Sequence, residues 1–144
     1  MAMIQMWRGL PPTEAAFHQN ASPKGHDLEL ASELGRVRVR VLGLDEVSEI
    51  DLALRLGRLV IATVFGPPYV TWFAKSHPKA RSRHGPLCAP GTRGGPVHSI
   101  LLIARNSERY AVHDPWYPAA GQPFWMPEEA FQHCFACRIA VAEP

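Results

Sequence analysis

Gly94-Gly95-Pro96-Val97-His98-Ser99-Ile100-Leu101-Leu102-Ile103-Ala104-Arg105, followed by Asn106-Ser107-Glu108 and then Arg109-Tyr110-Ala111-Val112-His113-Asp114-Pro115, is the stretch that decides the fold. An apolar run opening at His98 reads as a strand. The Asn-Ser-Glu triplet reads as a turn, and Arg109 to Asp114 as the returning strand, so the two form a hairpin. A histidine then opens one strand and an aspartate closes the next, which puts both at one end of a sheet. A carboxylate beside an imidazole fixes its tautomer and stabilises its cation. That is the base-and-orienter half of a nucleophilic catalyst. The two-residue period of a strand sends His113 to the face opposite Asp114.

Working outward, Val37-Arg38-Val39-Arg40-Val41 alternates strictly, as a half-buried strand does. Asp27 to Leu34 has helical spacing, with Asp27 as N-cap and Gly35 as stop. Ser48 to Leu56 reads as a second helix ended by Gly57, and Leu59 to Phe65 as a central strand. Residues 66–97 are rich in Pro, Gly, Lys, Arg and His and read as one long loop, with a short ordered piece at Tyr69–Lys75. Beyond the hairpin, Met126-Pro127-Glu128-Glu129 opens a helix, and Ala136 to Ala142 closes the chain as a strand. Residues 1–26 read as an N-terminal arm with a short helix near Thr13–His18, and residues 27–144 as a single domain.

The chain has 144 residues, 47% of them hydrophobic and 19% charged, with a net charge of +2. That length and composition suit one globular domain with its own core. The arginines are scattered apart from Arg81, Arg83 and Arg93, and make no basic stripe of the kind a nucleic-acid binder carries. No apolar run is long enough to span a membrane. The first residues lack the pattern of a secretory signal. Cysteines at 88, 134 and 137 make an odd set that fits free thiols in a reducing cytoplasm, or in a protein exported without a signal peptide. His133, Cys134 and Cys137 fall short of the four ligands of a structural zinc, and neither a metal nor a cofactor is expected.

Gly94–His98, the strand Ser99–Ala104, Tyr110-Ala111-Val112-His113-Asp114-Pro115 and Met126-Pro127-Glu128-Glu129-Ala130-Phe131 resemble, in order and spacing, the second half of the bacteriocin-processing, double-glycine peptidases, family thirty-nine of the cysteine peptidases. Leu30 to Gly35 and Ser48 to Ala62 are similar to the middle of the same domain. The resemblance covers residues 27–142. It implies an α+β, papain-like fold, a central antiparallel sheet with helices packed on it. It also implies His98 as general base and Asp114 as its orienter.

The family's nucleophilic cysteine follows an oxyanion-forming glutamine near the N-terminus. Here Gln19 is the candidate glutamine, and no cysteine follows it before Cys88. Cys88, on the long loop, is the stand-in nucleophile, and Ser22 a weaker hydroxyl substitute. Trp116, Tyr117, Phe124 and Trp125 are either a satellite core or one aromatic wall of a peptide groove. Trp72 and Phe73 would form the facing wall. Two functions follow. One is a degenerate peptidase-fold domain that binds an extended peptide or protein segment. The other is a cysteine peptidase or acyl-transferase using His98 and Asp114 with Cys88, or with a thiol from a separate partner chain.

Overall fold

The computed structural model describes residues 37–42, 46–82 and 97–142. The expected arm, the Asp27–Leu34 helix, Gln19, Ser22 and Cys88 lie outside them. In chain order the described elements are β1 (Val37–Val41), α1 (Ser48–Arg55), β2 (Val60–Phe65), α2 (Gly66–Ser76), β3 (Val97–Arg105), β4 (Arg109–His113), β5 (Phe124–Pro127), α3 (Glu128–Cys134) and β6 (Phe135–Ala142). The strands form one six-stranded sheet in the order β1-β6-β2-β3-β4-β5. Every pairing is antiparallel. This is the α+β arrangement expected from the sequence, a central antiparallel sheet with helices packed on it.

The core sits on one face of the sheet. Val60, Ala62 and Val64 of β2, Ile100 and Leu102 of β3, Tyr110 and Val112 of β4, and Phe124 and Met126 of β5 meet helix residues Ile50, Leu54, Tyr69, Phe73 and Phe131 in one buried cluster. On the other face Phe65, Val97 and Trp125 are exposed, as strand alternation requires. Gly57 ends α1 at a φ of 69°, while its N–H and that of Arg58 close on Leu54 and Ala53 carbonyls at 3.0 Å each. Only glycine reaches that left-handed turn without a Cβ penalty.

Two elements differ from the sequence reading. The segment read as a long loop opens with an eleven-residue helix, α2. Its Pro67 and Pro68 fall in the first turn, where the missing N–H groups have no helical partner to lose. Tyr69 and Phe73, one turn apart, then bury against the sheet. Pro78 stops the helix, since the residue before a proline avoids helical geometry. Second, Phe124–Pro127 is a short edge strand on β4, alternating buried and exposed, and α3 starts only at Glu128. Pro127, at the end of an edge strand, costs no ladder bond.

β6 carries an irregularity. Thr63 pairs with Arg138 but Val64 with Phe135, so Ala136 and Cys137 bulge out, and Cys137 takes a φ of 56°. Among the described residues no helix is long and apolar enough to cross a membrane.

Candidate active site at the mouth of the sheet

β2 and β3 pair so that Val64 faces His98, and the chain turns into α2 two residues later. β4 ends beside them, with His113 opposite Leu101. By the two-residue alternation His98, Ile100 and Leu102 share the core face with Val112 and Asp114, whereas His113 lies on the other. His98 and Asp114 are therefore diagonal neighbours. The His98 Nε2 sits 2.8 Å from Asp114 Oδ1, and their side chains are 7% and 0% exposed.

The Asp114 carboxylate is held from three sides. Besides the imidazole, the backbone N–H of Trp116 donates to Oδ1 at 2.8 Å and the Tyr69 hydroxyl donates to Oδ2 at 2.7 Å. The Trp116 bond is the local turn that an aspartate ahead of a proline favours, so the turn-forming and orienting roles coexist in one residue. Gln122 fixes the backbone beneath. Its Oε1 accepts from Asp114 N at 2.6 Å, and its Nε2 donates to the carbonyls of Asp114 and Pro118 at 2.9 Å and of Tyr117 at 3.1 Å.

Facing an ionised carboxylate, which only accepts, Nε2 is the donor of the pair, and in the neutral imidazole Nδ1 then carries the lone pair. Among the described residues no group bonds Nδ1. Chemically the arrangement offers an oriented base whose cation the carboxylate stabilises. Burial, aided by the nearby Asp114 charge and its hydrogen bond, pushes the Tyr69 hydroxyl well above the usual tyrosine range, so it stays a donor. Burial and the same carboxylate raise Tyr117 as well.

The other sequence candidates separate. Trp116 lies edge-on to His98 with ring centroids 6.0 Å apart. Tyr117 stacks on Phe73 at 4.1 Å and meets Phe124 edge-on at 5.8 Å, so these rings extend the main core. Phe73 is part of that core at 2% exposure and does not form a wall. Trp125 alternates with Phe124 and Met126 and therefore sits on the sheet face away from His98, 44% exposed. It cannot line a groove beside the imidazole.

Trp72 is on α2, with its ring 5.8 Å from that of Tyr69. It lines an open groove of about 620 Å³ between α2 and α3, together with Pro67, Pro68, Thr71, Lys75, Pro127, Glu129, Ala130 and His133. Cys134 is buried, donates to the Ala130 carbonyl at 2.9 Å, and is pushed by burial up to about 12, which leaves an inert thiol. Among the described residues no group of histidine, cysteine and acidic side chains is arranged to hold a metal ion.

Sequence reasoning missed Tyr69 and Gln122. The pair Tyr69 and Phe73, one helical turn apart behind two first-turn prolines, was the available signal for Tyr69. A tyrosine on a buried helix face needs a partner for its hydroxyl. No comparable signal marks Gln122.

No family model and no curated protein matches the chain. Among solved structures it resembles the crystal structure of a proposed C39-like peptidase from Bacillus anthracis, at a TM-score of 0.51 and 15% identity over 83% of this chain. The chain spans 58% of the length of that neighbour. The likeness shows the fold, which is that of a C39-like, papain-like peptidase.

Proposed function

We propose that this domain holds an extended peptide or protein segment beside the His98–Asp114 pair without relying on the nucleophile of its structural relatives. One observation carries the reading. The imidazole is oriented by Asp114, whose carboxylate is itself held by the Trp116 N–H and the Tyr69 hydroxyl, while residues 1–87 contain no cysteine. Trp116, edge-on to His98, supplies a rigid aromatic contact for a bound chain. Trp72 supplies another in the α2–α3 groove. The resemblance to double-glycine peptidases makes a peptide with a Gly-Gly step the first probe.

The Nδ1, which no group bonds among the described residues, favours a second reading. An imidazole whose Nε2 is bound to a carboxylate is set to take a proton from a thiol at Nδ1. Cys88, or a cysteine of a separate partner chain, would then be the nucleophile, with Gln19 as the oxyanion donor.

One experiment tests both. Isotope-labelled protein is titrated with a Gly-Gly peptide while the Trp116 and His98 resonances are followed and the peptide is checked for cleavage. Saturable shifts at Trp116 and His98, reduced by Trp116→Ala, are expected for the binding domain. Silence at both positions ends that reading. Cleavage that is blocked by thiol alkylation and lost in Cys88→Ser would assign the enzyme. Cleavage unchanged in Cys88→Ser would remove Cys88.

A further inference from the structure

Asp114 is a carboxylate at 1% exposure, and among the described residues no lysine or arginine pairs with it. A buried anion without a permanent cation must be carried by hydrogen bonds and by whatever charge its neighbour can adopt. Its neighbour is an imidazole, which is neutral or cationic according to circumstance. Tyr69 touches both members of the pair. Its hydroxyl donates to Oδ2 at 2.7 Å, and its ring lies 5.5 Å from the imidazole at a 45° tilt.

We infer that Tyr69 is a positioning residue for the His98–Asp114 pair. Its hydroxyl fixes the carboxylate so that Oδ1 faces Nε2, and it takes up negative charge on Oδ2 that His98 and the Trp116 N–H would otherwise share between them on Oδ1. The inference rests on the dyad reading proposed above. Three features support it. Tyr69 is 1% exposed, so water does not substitute for its hydroxyl. Its hydroxyl is held well above the range in which histidine titrates, so it remains a donor in both charge states of His98. Phe73, one turn on and 2% exposed, seats the helix and leaves the hydroxyl free of an anchoring role.

The test follows the Nε2 proton of His98 by nuclear magnetic resonance in the full chain. In the wild type a proton held between imidazole and carboxylate resonates at low field and exchanges slowly. Without the Tyr69 hydroxyl the carboxylate keeps more charge for Nε2 and is freer to turn. Tyr69→Phe is expected to move the resonance to lower field and to speed its solvent exchange about tenfold or more, the scale of one lost hydrogen bond to a charged group.

Tyr110→Phe is the control. It removes a like hydroxyl-to-carboxylate bond, to Asp51 at 3.0 Å, at the far end of the sheet. It should leave the His98 resonance in place. If Tyr69→Phe does not fold, 3-fluorotyrosine incorporated at position 69 keeps the shape and strengthens the donor, and should move the resonance to higher field. An unmoved His98 proton in these Tyr69 variants overturns the inference. So does an equal shift in Tyr110→Phe, which would mean general loosening. If the wild type shows no proton on Nε2, the dyad reading itself fails, a result separate from either of these.

Discussion

β3 has a tyrosine, a carboxylate and a basic side chain at each of its ends, and the two sets behave differently. At the start of the strand Tyr69, Asp114 and His98 are nearly sealed from solvent. At its end Tyr110 donates to Asp51 at 3.0 Å, while Arg105 bridges Asp51 and, at 2.6 Å, Glu128. The Arg105 guanidinium also lies 5.0 Å from the centre of the Tyr110 ring. Those charged side chains are 18–33% exposed. Arginine keeps its charge at every working pH, so that end is a fixed clamp tying α1, β3 and α3 together. Histidine does not, so the other end can trade a proton. The difference teaches that a buried acid beside a tyrosine can exchange a proton with its partner only where the base facing it titrates near neutrality.

The sharpest way to break this contrast is to unseat α2. Phe73→Ala should cost about 4 kcal/mol in urea unfolding, the usual scale for an emptied phenylalanine site. A loss below about 1 kcal/mol would mean that α2 is not what anchors Tyr69. The clamp comes next. Arg105→Met should cost about 2 kcal/mol, since two carboxylates lose a charged partner, yet leave the His98 nitrogen spectrum unchanged. Asp114→Asn should do the reverse, costing less stability but shifting His98 from the Nε2–H tautomer. A changed His98 spectrum in Arg105→Met would couple the two ends and undo the comparison.

A smaller effect concerns pH. His77 closes α2 against Phe73, Trp72 and Phe124, and its Nδ1 is buried with no hydrogen-bond partner among the described residues. Burial pushes its imidazole below the ordinary 6.5, against a backbone hydrogen bond at Phe73 that raises it. The unfolded chain therefore binds this proton more tightly than the folded one. The contribution is whole above the unfolded value and is lost as pH falls below it. Unfolding free energies at about pH 7.5 and about pH 5.5 should differ less in His77→Phe than in the wild type. An unaltered difference would clear His77.

The smallest effect belongs to the β6 bulge. Cys137→Gly relieves a positive φ but gives up partly buried contacts, and should change stability by less than about 0.5 kcal/mol. A loss above about 1.5 kcal/mol would show that the thiol's packing outweighs the backbone.

Much of the sheet was legible in the sequence. Val37–Val41, Leu59–Phe65 and the 98–114 hairpin carry strand periodicity and apolar density in their own residues, and strands stand at each. α2 was not legible as a helix, because prolines that break a helix interior are neutral in its first turn. Position within the element, not composition, settles which applies. β5 was hidden for a related reason. A four-residue edge strand has too short a period to read, and it is defined by the partner it pairs with.

By itself the sequence determined that a histidine and an aspartate stand at one end of a hairpin, since alternation and turn length fix that much. Tertiary structure alone decided what surrounds them. Tyr69 lies forty-five positions from Asp114 and reaches it only because α2 folds back over the sheet. Trp125, nine positions from Trp116, is carried to the opposite face by one strand's alternation. Local pattern sets which way a side chain points, but the partner it meets depends on packing between distant segments.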